Sequence, residues 1–137
     1  MPVGLSTDLR NDRLDLIATA IDAGAGAGTL KLYTATQPAT GAAITTQTLL
    51  ATLTFADPCV AAPAAAGVLE FDAIVGDDAV ADGTATWARA ADSDGTFVAD
   101  FDVTVTGGSG AIKLNTVTLV TGGPVTVTSA VLTEGNP

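Results

Sequence analysis

The chain has no histidine, one cysteine (Cys59), one tyrosine (Tyr33), one tryptophan (Trp87) and only five basic residues. Without histidine, the commonest general base and metal ligand is missing, and no imidazole can activate Cys59 as a nucleophile. A single cysteine cannot form an internal disulfide, so Cys59 reads as a small buried hydrophobe in a protein folded in a reducing cytoplasm. Fifteen acidic residues against five basic ones give a formal charge of −10. That balance opposes nucleic acid and anionic membranes as partners, and it suits solubility or a basic partner surface. No apolar run approaches the roughly 20 residues that span a bilayer. The opening Met1–Asp8 lacks the basic and apolar regions of a secretory signal, so no ordinary secretion is expected.

What is present is Ala, Thr, Val and Gly, in 137 residues. That length predicts a single domain, 1–137, able to bury a core without disulfide or metal staples. Residues 6–22 read as its one helix. Ser6 or Thr7 can cap it, Asp8 suits the first turn, and Leu9, Leu14, Ile17, Ala20 and Ile21 recur at helical spacing with charged residues between them. The alternating Gly and Ala of residues 23–28 end the helix and read as a flexible hinge. The helix could then dock on a neighbouring molecule or on its own β-body. With the hinge reading, deletion of residues 1–23 is expected to leave a folded body.

Residues 29–137 read as about seven antiparallel strands with turn signals at regular spacing, the pattern of a β-sandwich or a small barrel. Strands are expected over 29–34, 48–55, 67–74, 83–91, 96–106, 112–120 and 124–132, with an acidic loop over 76–83. The clearest hairpin joins 83–91 to 96–106 through Asp92-Ser93-Asp94-Gly95, where Gly95 supplies a positive φ. Trp87 reads as core, Arg89 as a cross-strand partner for a carboxylate such as Asp100, and Asp100 and Asp102 as solvent-facing. A second hairpin is expected around Gly122-Gly123.

Few patterns suggest chemistry. Asp92-x-Asp94-Gly95 resembles the start of a calcium loop, but it is too short and flanked by strands, so a plain turn is favoured. Asp77, Asp78 and Asp82 read as a solvated acidic loop. Asp100 and Asp102, two apart on a strand, have the spacing of an acid/base pair acting on a carbohydrate, without accompanying groups. Gly24-x-Gly26 follows a helix rather than a strand, the reverse of a dinucleotide-binding loop. The reading is therefore not an enzyme, with no catalytic, cofactor-binding or metal-ligating residue assigned.

Five segments carry a wider likeness: Gly4-Leu5-Ser6-Thr7-x-Leu9-Arg10-Asn11, Leu30-Lys31-Leu32-Tyr33-Thr34-Ala35-Thr36-Gln37-Pro38-Ala39, Leu49-Leu50-Ala51-x-Leu53, Gly83-Thr84-Ala85-Thr86-Trp87-x-Arg89 and Gly122-Gly123-Pro124-Val125-x-Val127-Thr128-Ser129. In this order, over nearly the whole length, they resemble short structural proteins of tailed bacteriophages. The resemblance implies a capsid cement or decoration protein with a jelly-roll-like β-sandwich fold of about seven to eight antiparallel strands, one that binds the major capsid protein and stabilises the head. It places the chain on the capsid surface of a virion after synthesis in the host cytoplasm, as a homo-oligomer (dimer or trimer) across local symmetry axes. The alternative is a tail, fibre or adhesin-type module recognising a host surface glycan or protein. A glycan site would use exposed aromatics, for which Tyr33 and Trp87 are the candidates.

Overall fold

The structure, a computed structural model, describes residues 3–135, so the outermost residues of the expected domain, 1–2 and 136–137, lie outside the described part. One helix, α1 (Thr7–Ile21), precedes eleven strands among these residues. They are β1 (Thr29–Tyr33), β2 (Leu49–Thr54), β3 (Val68–Glu70), β4 (Asp77–Asp78), β5 (Gly83–Thr84), β6 (Trp87–Ala91), β7 (Phe97–Val105), β8 (Ile112–Leu114), β9 (Thr118–Leu119), β10 (Pro124–Val125) and β11 (Val127–Thr133). The protein is all-β with a single N-terminal helix, as its composition predicts. No described helix is long and apolar enough to cross a membrane.

Seven strands form the main sheet in the order β2-β1-β6-β7-β8-β11-β3, and two ribbons, β10-β4 and β5-β9, complete the β-structure. The expectation of purely antiparallel pairing needs one correction. β7 and β8 are parallel, with Val103 opposite Ile112 and Val105 opposite Leu114. Several expected long strands are also broken. The 83–91 run divides into β5 and β6, and 112–120 into β8 and β9, because their first or last residues leave the main sheet to pair with each other. The second hairpin survives as β8 against β11, with Ala130 opposite Ile112.

The main sheet curls around its core, for a reason visible in chain length. Six inter-strand spacings would set the edges of a flat sheet about 29 Å apart. Yet β3, at one edge, ends at Glu70, and Val75 already exchanges hydrogen bonds with Thr54 of β2 at the other edge (2.8 and 3.2 Å). Those five steps reach at most about 18 Å. Inside the curl lie Leu30, Leu32, Leu50, Leu53, Leu69, Ile112 and Leu114, all fully buried.

α1 packs on this body. Ser6 is its N-cap, accepting from the Leu9 N–H, and Asp22 its C-cap. Leu14, Ala18 and Ile21 enter the core, Ile17 packs against it, and Leu9 stays exposed. A second stripe at positions 11, 15, 18 and 22 faces the connection before β3, since such residues lie on one side of a helix. There Asn11 Oδ1 accepts from Gly67 N (2.8 Å), Asp15 Oδ1 from Ala64 N (2.7 Å), the Ala18 carbonyl from Cys59 Sγ (3.5 Å) and Asp22 Oδ1 from Cys59 N (2.8 Å). Gly28 fits closely where the chain enters β1. A Cβ there would lie 2.6 Å from the Ala91 carbonyl oxygen and 2.8 Å from that of Ile21. The 23–28 run, expected to be a hinge, is thus a packed corner, also tied by Gly26 N and the Ala23 carbonyl to Ser93 Oγ.

Candidate functional site

The β6–β7 hairpin places the aromatic and charged residues singled out above. Cross-strand partners share a face, and Ala88 and Ala90 lie opposite Phe101 and Ala99 on the core side. Trp87 and Arg89, opposite Asp102 and Asp100, therefore occupy the outer face. Trp87 is buried as expected but outside the main core, stacked on Tyr33 with ring centroids 4.7 Å apart. Its indole N–H donates to the Thr34 carbonyl (3.2 Å).

Arg89 and Asp100 form the pair expected of them, in a fork: Nε donates to Oδ1 at 2.7 Å and Nη2 to Oδ2 at 3.0 Å. The expectation that Asp100 faces solvent is wrong, since its side chain is 1% exposed. The cover is the 34–48 loop, whose Ala42 carbonyl accepts from Arg89 Nη1 (2.8 Å) while Gly41 N–H donates to Asp100 Oδ2 (3.5 Å). Gly41 sits in the left-handed region (φ 72°) against the Phe97 ring, where a Cβ would be crowded. The guanidinium lies 5.3 Å from the Trp87 centroid and 5.1 Å from that of Phe97. The hydrogen bond to Asp100 holds Arg89 above its ordinary pKa. Burial pushes the Tyr33 phenol up, with Arg89 opposing. This fully engaged ion pair ties a loop to a sheet.

The remaining acidic candidates also serve the backbone. Asp92 Oδ1 accepts from Asp94 N (3.0 Å) and Thr96 N (2.9 Å), closing the turn in which Gly95 has φ 84°. Asp102 Oδ1 accepts from Ala111 N (2.9 Å). It is exposed while the Asp100 side chain is enclosed, so the two share no pocket as an acid/base pair would. Asp82 Oδ1 takes both the N–H and O–H of Thr121 (2.7 and 2.9 Å), which hold its carboxyl below the ordinary value. Burial first, and then the hydrogen bond to Asp22, push the Cys59 thiol up to about 12. Among the described residues, no three His, Cys, Asp or Glu side chains gather as a metal-binding group. A groove of about 660 Å³ runs between α1 and β7, β8 and β11, lined by Leu14, Ile17, Phe101 and Val131 with Asp102, Lys113 and Glu134.

A different region was not legible in the sequence. The segment 75–80 runs along the outer edge of β2, with Val80 N donating to the Leu50 carbonyl (2.8 Å). The turn 120–123 is bonded to it through Ala79 N to the Gly123 carbonyl (2.9 Å) and Gly122 N to the Ala79 carbonyl (2.8 Å). Val75, Val80 and Val120 on these two pieces are 61%, 64% and 61% exposed. Asp77 and Asp78 between them are exposed too. Valine in a strand-like run ordinarily signals burial, and no local pattern marks these three as exceptions.

Comparisons with models of protein families, with curated proteins and with solved structures find no match to this chain.

Proposed function

We propose that the chain is a viral structural protein, a capsid cement or decoration protein that binds the major capsid protein of a tailed bacteriophage and stabilises the head. The observation that carries the reading is how the side chains are used. Arg89, Asp100, Asp92, Asp82 and Cys59, the candidates for chemistry, are spent on internal hydrogen bonds. The groups left to the surface include large apolar ones, which gain from being covered by a partner. The five segments quoted above supply the phage assignment, through resemblance.

In this role each copy needs only a modest contact. A chain repeated over a shell, or joined as a dimer or trimer across local symmetry axes, gains strength by multivalency. Cryo-electron microscopy of purified particles tests the proposal. Density of this size repeated over the whole head supports it. Density confined to the tail overturns it in favour of a tail, fibre or adhesin module.

A further inference from the structure

We infer that the docking face is the end formed by residues 75–82 and 120–123, and that its partner is a protein surface with an apolar depression rimmed by Lys and Arg. The inference rests on the decoration reading and names the face and the partner chemistry for it.

Three observations converge. First, Val75, Val80 and Val120 are each more than half exposed, on backbone that is hydrogen-bonded in place. A pinned apolar side chain loses little further entropy on binding. Second, the segments that carry them hold charge of one sign, with Lys31 of β1, opposite Thr52 of β2, the base of the neighbouring strand. Residues 69–88 hold Glu70, Asp72, Asp77, Asp78 and Asp82 with no Lys or Arg, and residues 114–135 hold no Lys or Arg either. A basic rim would meet this field favourably and speed encounter.

Third, a second copy of the chain is a poor source of that rim. Of the five bases, Arg10 is bonded to the Glu134 carbonyl, Arg13 is paired with the Glu134 carboxylate and Arg89 is held by Asp100. Lys31 and Lys113 remain, one on β1 and one on β8, separate strands of the main sheet. Two scattered lysines make a sparse rim, which favours another protein as the complement. Another exposed apolar pair, Leu9 and Leu16 on the outer side of α1, lies beside the Arg13–Glu134 pair, on a helix that carries both signs of charge.

The test uses head shells purified from a phage stock lacking this chain, with binding read by co-sedimentation at several salt concentrations. The full chain should bind, more weakly as salt rises. Val80→Ser combined with Val120→Ser should weaken binding about tenfold or more. Asp77→Lys with Asp78→Lys should weaken it similarly and flatten the salt dependence. Leu16→Ser should bind like the parent. If the parent binds and both end variants match it, the docking face is wrong while the decoration reading survives. If the parent binds no shell, both fall. A melting curve confirms that each variant is folded, and if the valine variant is not, the charge variant decides alone.

Discussion

A carboxylate as enclosed as Asp100 is tolerated because Arg89 meets it with two hydrogen bonds and the loop meets it with a third. Removing one partner strands the other charge, so Asp100→Ala should cost about 3–5 kcal/mol of unfolding free energy by denaturant titration. Arg89→Met combined with Asp100→Leu should recover much of that loss, since an apolar pair leaves no orphan charge. The near-ultraviolet signal of Trp87 should change in both, because Arg89 lies over that ring. Cys59 gives a second residue-level expectation. Its thiol is held protonated to about 12, against an ordinary 9.0. As pH climbs from the lower value to the higher, the unfolded thiol ionises while the folded one does not. Stability from this group is therefore complete below about pH 9 and is lost towards pH 12, and Tyr33 shifts in the same direction. Native protein should resist iodoacetamide at pH 8 and react once denatured; rapid native labelling would contradict the burial of Cys59.

At the scale of elements, α1 is part of the fold and not an appendage. Leu14, Ala18 and Ile21 fill the core, and its polar stripe satisfies backbone N–H groups of the 59–67 connection. Deletion of residues 1–23 should therefore abolish the cooperative β-fold, the opposite of what the hinge reading anticipates, with circular dichroism and thermal melting as the measurement. Leu14→Ala alone should cost about 2–5 kcal/mol. The helix itself was legible because its signals are local: a serine cap, an acidic first turn and a glycine-rich stop. An ion pair between Arg89 and a carboxylate across the hairpin was legible too, although the bulge between Ala90 and Ala91 that brings Asp100 opposite Arg89 was not. The destination of the helix was not legible, because Asn11, Asp15 and Asp22 look like solvated residues until the 59–67 connection is laid beside them. Nor was the outer-face position of Trp87. Alternation tells which residues share a face, but only the 34–48 loop, folded back over the sheet, makes the outer face a buried one. The parallel β7–β8 pair was hidden for the same reason, since it depends on where the intervening turn returns the chain.

For the whole molecule, the decisive feature is how the sheet ends. An open edge strand is a template for pairing with another chain. Here β2 is covered by residues 75–80, and β3 by the Ala65–Val68 bridge and the Asp72 N to Cys59 carbonyl bond (2.9 Å). Covered edges direct association towards side chains instead of strand addition, in keeping with a docking face built from valines and aspartates. The cover on β2 hangs on few hydrogen bonds, of which Val75 N to the Thr54 carbonyl (2.8 Å) is one. Val75→Pro removes that donor while adding no charge. It should lower stability by about 1–3 kcal/mol and open the free side of β2, giving time-dependent self-association by light scattering. Val75→Ser keeps the N–H and should keep the oligomeric state of the parent. If the proline and serine variants behave alike in size and in melting temperature, the edge is protected by something other than this bridge, and the closure of the sheet contributes less to solubility than its geometry implies.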